Sequence, residues 1–387
     1  MWSTSKDYRE EQIMEWKIPL FRSYWQEDDV ESVAKVIRRG MYWAAGPEIL
    51  EFEREIANFV GTAFALSFNS GTSALHADLL AHNITNGEVI VPSFTFISTA
   101  NVVVLAGAKP VFAEIEDQSY GLDPDDVKEK ITNKTKAIIP VHYGGAPCKE
   151  IKALREIADD YNLLLIEDAA ESLGSKIKNK NVGTFGHSAM FSFCQNKIIT
   201  AGEGGIIVTN AKDIYQKLKL IRSHGRVEHK DDYFSTTKDL DYIQVGHNYR
   251  MSTISAALVS SQLKKINKII KMRREKANYY HKKLSKFEDI EIPADLEDHY
   301  NVYQMYTIQL KDNKSREKLQ KYLEKAEIMT KVYFEPVHLK TFYREKFNYK
   351  EGDLPKTEKI SKKVLTLPLY PTLSNEEIDY IVDKIKN

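Results

Sequence analysis

Lys197 carries the only charge in residues 191–202, a stretch bounded by two segments typical of buried strands. The first segment, 188–193, leads into it, and the second, 206–209, follows a run rich in glycine. Desolvation disfavours an ammonium group, and a neutral amine can attack a carbonyl carbon to form a Schiff base. A surface lysine at the end of a hairpin, with the glycines serving the turn, is the alternative interpretation. This stretch alone leaves both interpretations open.

Ser70-Gly71-Thr72 connects a predicted strand, 63–68, to a predicted helix, 73–81. Exposed amides and the helix dipole make such a junction a site for an anion, and glycine permits close approach of the backbone. The same residues also suit a plain helix cap, with Ser70 or Thr72 accepting a hydrogen bond from the first turn.

Two acids, Glu167 and Asp168, follow the apolar run 163–166, which predicts a buried strand. Ligands of open α/β sheets bind at the carboxyl ends of strands. An acid buried there needs a cationic partner or it becomes neutral. One of the two could cap the next helix, which leaves the other for a ligand.

Two further segments carry candidate ligand-binding residues. Phe96 ends the motif Pro92-Ser-Phe-Thr-Phe96 after another predicted strand, and its ring could lie flat on a planar ligand. Asn248 and Arg250 join a loop to a long helix, where they could hold an anion or simply cap the helix. An anion site, a carboxylate, an aromatic ring and an activated lysine at one sheet edge are what pyridoxal 5'-phosphate (PLP) requires.

Strands and helices that must position these residues alternate along residues 63–224. Short apolar runs predict the strands, and amphipathic segments between them predict the helices. The alternation is typical of a mostly parallel sheet flanked by helices, so we predict an α/β fold.

Helical periodicity predicts two helices before the sheet, over 27–39 and 48–60. Their inward faces are predicted to be Val30, Val33, Ala34 and Ile37 in the first, and Leu50, Phe52, Ile56 and Phe59 in the second.

The pattern changes after residue 250, where a long helix is predicted over 251–287. Further strands are predicted over 302–310 and 329–334, and further helices over 315–326, 357–365 and 375–386. We therefore predict an N-terminal arm, 1–17, a large α/β domain, 18–255, and a smaller C-terminal α+β domain, 256–387.

Composition excludes several classes of protein. The 387 residues hold 55 Lys+Arg and 55 Asp+Glu, so no net field favours nucleic acid or an anionic membrane. No apolar run approaches the ~18 residues of a membrane span, and the charged N-terminus does not resemble a signal peptide. Two cysteines are too few for a disulfide framework or a cysteine-rich zinc site. We expect a cytoplasmic protein with no metal, nucleic-acid or membrane partner.

Several motifs together resemble one family. The chain is similar to the DegT/DnrJ/EryC1/StrS family of PLP-dependent nucleotide-sugar aminotransferases, which have fold type I. The motifs that carry the resemblance, from about Ile18 onward, are Gly46-Pro47, Ser70-Gly-Thr-Ser-Ala-Leu75, Pro92-Ser-Phe-Thr-Phe96, Glu167-Asp-Ala-Ala-Glu171, Phe191-Ser-Phe193 with Lys197 and Gly202-Glu-Gly-Gly205, Asn248-Tyr-Arg-Met251 and Pro336-Val-His-Leu339.

The resemblance implies roles around the cofactor. Lys197 would form the Schiff base and then move a proton, Asp168 would pair with the pyridine nitrogen, and Phe96 would stack on the ring. Further cofactor contacts are implied for Ser70, Gly71, Thr72, Ser192 and Glu171. Asn248 of the neighbouring subunit would complete the phosphate site, which implies a homodimer with shared active sites.

Substrate contacts are implied for Glu171, Arg250, Gln304 and His338. Relatives often have Gln or His at the position of Glu171, and we expect this acid to be protonated or to meet the amino or hydroxyl group of the substrate. Gln304 stands where many relatives have His. Four basic residues are candidates for a diphosphate or are simply solvated surface: Arg222, His224, Arg226 and Lys331.

The implied reaction transfers an amino group from L-glutamate, released as 2-oxoglutarate, to a nucleotide-linked 4-keto-6-deoxyhexose. Some relatives carry His in place of the lysine and act as dehydratases, so Lys197 favours transamination. A C3-keto-sugar or an inosose is an alternative acceptor. A regulatory protein that uses the same fold without turnover, or a structural scaffold without cofactor, is an alternative of another class.

Overall fold

The computed structural model describes residues 16–227 and 240–386, so most of the predicted arm lies outside the described residues. The strands, in chain order, are β1 (Phe64–Phe68), β2 (Glu88–Pro92), β3 (Lys109–Ala113), β4 (Thr135–Ile138), β5 (Leu164–Asp168), β6 (Lys176–Ile177), β7 (Lys180–Asn181), β8 (Ser188–Ser192), β9 (Gly205–Thr209), β10 (Ile290–Glu291), β11 (His299–Tyr300), β12 (Tyr306–Leu310) and β13 (Val364–Leu367).

The helices, in the same order, are α1 (Glu27–Arg39), α2 (Pro47–Val60), α3 (Gly71–Ala81), α4 (Ser98–Leu105), α5 (Pro124–Glu129), α6 (Ile151–Asp160), α7 (Lys212–Arg222), α8 (Thr253–Leu263), α9 (Ile266–Leu284), α10 (Asn313–Lys325), α11 (Thr341–Phe347), α12 (Pro355–Lys363) and α13 (Asn375–Lys386). Short 3-10 turns occur at Tyr143–Gly145 and Val337–Leu339.

A seven-stranded sheet in the order β1-β9-β8-β5-β4-β2-β3 forms the centre of the molecule. Strand β9 is antiparallel to both of its neighbours, and the remaining pairs are parallel. The prediction of a mostly parallel sheet is confirmed. Because these strands share one direction, the carboxyl ends of β2, β5 and β8 meet at one edge.

Helices cover both faces of this sheet, because side chains alternate between the faces along each strand. Met190 on β8 packs into a cluster with α3, α4 and α7, whereas its neighbour Phe191 packs into a cluster with α2, α8 and α9. The sheet is therefore held rigidly between two apolar layers, and this rigidity extends to the residues at its edge.

A smaller sheet, β10-β12-β13, lies in the C-terminal part. It shares an apolar cluster with Ile18 and with Ala277, Tyr280 and Leu284 of α9. Helix α8 contacts α1 and α2, whereas α9 contacts α13. The domain boundary at residue 256 stays a prediction.

Predicted inward faces of the first two helices were partly wrong. Val30 and Ile37 of α1 are exposed, and so is Leu50 of α2, which is 69% exposed. Asp29 is buried instead, because its carboxylate receives the Lys265 ammonium at 2.7 Å. Helix α1 packs against α8, with Val33 and Ala34 half-buried and Val36 buried.

The predicted long helix over 251–287 is also wrong, because it is two helices, α8 and α9, that meet at Lys264 and Lys265. Lys265 reaches Asp28 at 2.6 Å in addition to Asp29. The break places this lysine beside the start of α1.

Residues 329–334 do not form the predicted strand. Lys331 makes a single bridge to Thr366 of β13. Strand β13 itself includes Val364 and Leu365, which the sequence pattern assigned to a helix that in fact ends at Lys363. Within the described ranges, no helix is long and apolar enough to cross a membrane.

Candidate active site

A cleft of about 460 Å³ opens at the carboxyl ends of β2, β5 and β8, beside the first turn of α3. The large sheet contributes Asp168, Ser192 and the loop that carries Lys197, and the C-terminal part contributes Lys331 and Tyr333. The cleft therefore lies between the central sheet and the C-terminal part of the chain.

Lys197 lies in the loop between β8 and β9, and its side chain enters the cleft with 13% exposed. The buried side chains of Ile198 and Ile199 fix the loop from below. The backbone carbonyl of Phe193 accepts hydrogen bonds from the Ala201 amide at 3.0 Å and the Thr200 hydroxyl at 3.1 Å. Lys197 is thus a hairpin-loop lysine by position, but its amine faces the cleft and not bulk solvent.

Glu171 receives the Lys197 amine, with 3.1 Å between Nζ and Oε1. Its other oxygen, Oε2, accepts a hydrogen bond from the Gly144 amide at 2.9 Å. Both partners are donors, which is the arrangement that a carboxylate accepts. These contacts do not support the expectation of a protonated Glu171, and the amino group it meets belongs to Lys197.

Asp168 ends β5 and is 4% exposed. Its Oδ2 accepts a hydrogen bond from the Thr99 hydroxyl at 2.8 Å, and Oδ1 accepts one from the Ala170 amide at 3.2 Å. Burial raises the pKa of this carboxyl, while the Thr99 hydroxyl and the Ala170 amide oppose that rise. Asp168 is therefore a buried acid at the edge of the cleft whose charge depends on a few donors.

Glu167 makes different contacts from Asp168, because side chains alternate along β5 and that of Glu167 lies on the other face of the sheet. Its Oε1 accepts from the amides of Phe185 at 2.7 Å and Gly186 at 2.6 Å, and its Oε2 from the Gly183 amide at 2.8 Å. The acid left free for a ligand is Asp168, and Glu167 anchors a turn instead of capping a helix.

Helix α3 begins at the cleft. Ser70 caps it, with its hydroxyl accepting from the Ser73 amide at 3.1 Å. The first amides of a helix have no acceptor within the helix, so those of Gly71 and Thr72 are available to an anion. The cap and the anion site are therefore compatible.

Two glycines keep this helix start close to the strands. A Cβ at Gly71 would lie 3.0 Å from Met190 Sδ and 3.3 Å from Ser192 Oγ. A Cβ at Gly205 would lie 2.4 Å from the Ser70 carbonyl oxygen. The glycine at 205 permits a backbone approach that no other residue allows.

Aromatic side chains form the outer walls of the cleft. Phe96 is 60% exposed and faces it, as predicted for a ring that covers a planar ligand. Tyr333, which sequence reasoning missed, also lines the cleft. Burial and the nearby Glu171 charge raise the pKa of Tyr333 to about 12, so its hydroxyl keeps its proton. Tyr333 stands in a segment predicted as a strand, and its residue type alone gave no sign of a site.

His338 does not reach the cleft, and its prediction as a substrate contact is corrected. The ring is fully buried, with Nδ1 2.7 Å from Ser93 Oγ and Nε2 3.2 Å from Glu358 Oε1. Both ring nitrogens are committed to these contacts, which join the loop after β2 to α12.

Three other predicted residues lie outside the cleft of their own chain. Asn248 is exposed, and its carbonyl accepts from the Asn69 side chain at 3.3 Å. Arg250 donates to Ser223 Oγ at 3.1 Å. Gln304 lines a neighbouring cavity of about 20 Å³ and donates to the carbonyl of Asn196, next to Lys197.

Of the four basic candidates, Lys331 lines the cleft. Arg222 is buried and pairs with Glu53 at 2.6 Å, and Arg226 is buried and donates to Ser223 Oγ at 3.0 Å. Their guanidinium groups hold the fold together, which removes them as diphosphate contacts in their own cleft. His224 is exposed. In the part of the chain that the structure describes, no group of three or more His, Cys, Asp or Glu side chains could hold a metal ion.

Comparison with known proteins identifies the family. A sequence model of the DegT/DnrJ/EryC1/StrS aminotransferase family matches residues 24–386. The chain belongs to this family. It is 35% identical to the GDP-perosamine synthase of Escherichia coli O157:H7 over 369 residues, which cover 95% of this chain and 97% of that protein.

Solved structures agree with this assignment. Helicobacter pylori PseC, an aminotransferase involved in the biosynthesis of pseudoaminic acid, superimposes with a TM-score of 0.88 at 28% identity, covering 95% of this chain and 98% of that one. Streptococcus pneumoniae Spr1654, solved in PLP and PMP forms, has a TM-score of 0.88 at 26% identity and also covers 95% of this chain. The match extends over 97% of the Spr1654 chain in the PLP form and over 98% of it in the PMP form. The protein is a sugar aminotransferase of fold type I, and its cofactor is PLP.

Residues of the cleft fit PLP. The first turn of α3, with the Ser192 hydroxyl beside it, offers donors to a phosphate. A buried carboxylate, Asp168, and an amine, Lys197, lie in the same cleft, and Phe96 presents an aromatic face. These groups therefore match, in that order, the phosphate, the ring nitrogen, the aldehyde and the ring plane of the cofactor.

Proposed function

We propose that this aminotransferase converts a nucleoside-diphosphate-linked 4-keto-6-deoxyhexose to the 4-amino sugar, with L-glutamate as the amino donor. The observation that carries the proposal is Glu171 beside Lys197, in a chain similar over nearly its whole length to a GDP-perosamine synthase. Perosamine is itself a 4-amino-4,6-dideoxyhexose, so that relative supports C4 over C3.

Lys197 is proposed to move the proton at the reacting carbon of each substrate. Glu171 holds the Lys197 amine at 3.1 Å and is itself held by the Gly144 amide. A carboxylate in this position accepts hydrogen bonds, so it suits a substrate with a hydroxyl next to the reacting carbon. A hexose with a ketone at C4 and a hydroxyl at C3 meets this requirement, as does a 3-keto hexose, so the proposal of C4 rests on the similarity to the GDP-perosamine synthase.

Asp168 is proposed to pair with the ring nitrogen of the cofactor and keep it protonated. When bound, PLP supplies an electron-withdrawing ring that accepts the electron pair of the broken C–H bond. Asp168 serves this chemistry only as a carboxylate, which makes the donors around it important. Phe96 is proposed to cover the ring and to exclude water from one face.

Gly71, Thr72 and Ser192 are proposed to hold the phosphate at the start of α3, and Ser70 to support that turn as its cap. Asn248 is proposed to complete the phosphate site of a second copy of the chain, because it is exposed and lies outside its own cleft. Arg250 follows it on the same segment. The active unit is then a homodimer with two shared sites.

The test is transfer of nitrogen from [15N]glutamate to a panel of nucleotide-linked 3-keto and 4-keto hexoses and to an inosose, followed by mass spectrometry and NMR of the products. We expect 15N at C4 of a 6-deoxyhexose and release of 2-oxoglutarate. Amination at C3, or of the inosose alone, would overturn the proposed substrate while leaving the aminotransferase assignment intact.

A further inference from the structure

Two buried threonines are linked to Asp168 by hydrogen bonds, and the reaction as described does not use them; Thr95 also lines the cleft. Thr99 is in the first turn of α4 and Thr95 lies one turn earlier, with 1% and 3% of their surfaces exposed. Their hydroxyl oxygens are 2.9 Å apart, and Thr99 Oγ1 is 2.8 Å from Asp168 Oδ2. The three groups therefore form a chain of hydrogen bonds that ends on the acid.

The direction of this chain follows from the number of protons. A carboxylate can only accept, so the one hydroxyl proton of Thr99 goes to Asp168. Thr99 then has only lone pairs left for Thr95, and the Thr95 hydroxyl must donate to Thr99. A protonated Asp168 would reverse the preferred order, because it would donate its proton to Thr99.

The backbone of Thr99 also contacts that of Phe96. Its backbone amide donates to the carbonyl of Phe96 at 3.2 Å. One residue therefore contacts both the acid that faces the ring nitrogen and the residue that covers the ring plane.

We propose that Thr99, supported by Thr95, is a positioning residue that keeps Asp168 charged and aimed at the ring nitrogen of PLP. The proposal rests on the role proposed above for Asp168. Hydrogen bonds to a charged group are stronger than those between neutral groups, and a chain of hydroxyls strengthens the last bond. Burial disfavours the charge of Asp168, so the loss of this donor is felt directly.

The test compares the affinity of the protein for PLP with its affinity for 1-deazapyridoxal 5'-phosphate, which has carbon in place of the ring nitrogen. The ratio of the two affinities measures the contact between Asp168 and the ring nitrogen, and phosphate binding cancels from it. We expect Thr99→Val to reduce the preference for PLP by about tenfold or more. Thr99→Ser keeps the hydroxyl and should restore it, and Thr95→Val should have a smaller effect.

A pH titration of the same ratio gives a second readout. Without the Thr99 hydroxyl, the Asp168 carboxylate should take up a proton at a higher pH than in the wild type. As pH is lowered, Thr99→Val should therefore lose its preference for PLP before the wild-type protein does. Thr366→Val is the matched control, because Thr366 and Thr307 form another buried hydroxyl pair at 2.8 Å in the C-terminal part. We expect no change in the ratio for this control.

If Thr99→Val lowers the affinity for PLP and for 1-deazapyridoxal 5'-phosphate by the same factor, Thr99 only supports the local structure. This result would overturn the proposal. An unchanged ratio, or the same change in Thr366→Val, would also overturn it. Asp168→Asn separates the two claims. If Asp168→Asn leaves the ratio unchanged, the proposed role of Asp168 fails. If Asp168→Asn changes the ratio but Thr99→Val does not, the role of Asp168 stands and the positioning role of Thr99 fails.

Discussion

The side chain of Lys197 and its contact with Glu171 define the chemistry at the scale of single residues. The Glu171 carboxylate lies 3.1 Å from the Lys197 amine. The two side chains are shielded, with 13% and 10% exposed, so their interaction is stronger than that of a surface pair. The pair holds the amine toward the cleft until substrate and cofactor contact it.

Glu171→Gln keeps the shape of the side chain and removes its charge. We expect kcat with the keto-sugar to fall by about tenfold or more, because a charge-assisted hydrogen bond to Lys197 is lost. Steady-state kinetics with saturating glutamate measure this change. Glu203→Gln makes the same substitution at another acid of the cleft, and an equal loss in both variants would contradict a specific role for Glu171.

Activity should depend on the charge of Asp168 at acid pH. Because burial raises its pKa, the carboxylate is lost as pH falls through a value above the usual range of aspartate, and the rate falls with it. We expect kcat/KM to decline on the acid side for this reason. If Asp168→Asn retains wild-type activity and the same acid limb, another group titrates and the assignment is wrong.

Sequence alone predicted Lys197 and Asp168 as candidates, and both line the cleft, because each follows a recognisable strand and is a chemically distinctive type. Thr99 and the Gly144 amide could not be found in that way, since neither type is distinctive. Their importance arises from folding. The fold brings Thr99 to Asp168, which lies 69 positions later in the chain, and Gly144 to Glu171, which lies 27 positions later. The resemblance implied His338 as a substrate contact, and this failed because both of its ring nitrogens are committed to Ser93 and Glu358 in the interior.

At the scale of elements, the start of α3 is positioned by its contact with β9. Strand β9 passes so close to this turn that only glycine fits at residue 205. The same arrangement places Gly71 against Met190 and Ser192 of β8. The phosphate site therefore depends on strand packing as much as on the helix itself.

Gly205→Ala should push the first turn of α3 away from β9. The added Cβ would lie 2.4 Å from the Ser70 carbonyl and 2.6 Å from the Gly71 amide nitrogen, so backbone has to move. We expect a loss of about 1–3 kcal/mol in the free energy of unfolding, together with weaker PLP binding. Denaturant unfolding and cofactor titration measure the two effects.

Gly204→Ala is the matched control for this substitution. Its Cβ would meet Met251 Cε at 2.7 Å, the flexible end of a side chain that can move aside. Similar losses in both variants would show that the segment tolerates no side chain at either position, and that the contact with α3 is not the cause.

Elements with a strong local pattern were predicted well, including α1, which begins and ends at the predicted residues. The failures occurred where a distant contact decides the structure. The Lys265 contacts with Asp28 and Asp29 accompany a helix break that the helical pattern of 251–287 does not show. Strand β13 forms because β12 lies beside it, which no local pattern reveals.

At the scale of the whole molecule, six large apolar side chains are exposed between residues 25 and 50, which include the first helix and the start of the second. Its members are Trp25, Val30, Ile37, Met41, Trp43 and Leu50. Large exposed apolar surfaces of this kind mark sites of association. The position of Asn248 outside its own cleft supports the same conclusion, and both lead to the proposal of a homodimer.

Mixing two inactive variants tests whether the sites are shared. Lys197→Ala lacks the amine, and Asn248→Ala lacks the proposed phosphate contact of the partner. A mixed dimer contains one site with both wild-type residues and one site with neither, so random pairing restores roughly a quarter of wild-type activity in a two-fold symmetric dimer. We expect this recovery after the two differently tagged chains are produced together.

No gain over the separate variants would contradict a shared site. The control is the double variant Lys197→Ala/Asn248→Ala produced with wild-type chain, and in both experiments the mixed dimers are isolated through their two different tags. Mixed dimers of the control contain no intact site and should be inactive, whereas those of the two single variants should keep about half of wild-type activity. Light scattering of each sample confirms that dimers are present before activity is compared.

The role of Lys197 is tested most directly by following 15N from glutamate into the keto-sugar, with wild-type protein and with Lys197→Ala loaded with PLP to the same level. We predict that wild-type protein transfers the label over many turnovers, and that Lys197→Ala transfers essentially none while it keeps its fold. Sustained transfer by Lys197→Ala at a rate near that of the wild type would contradict this account.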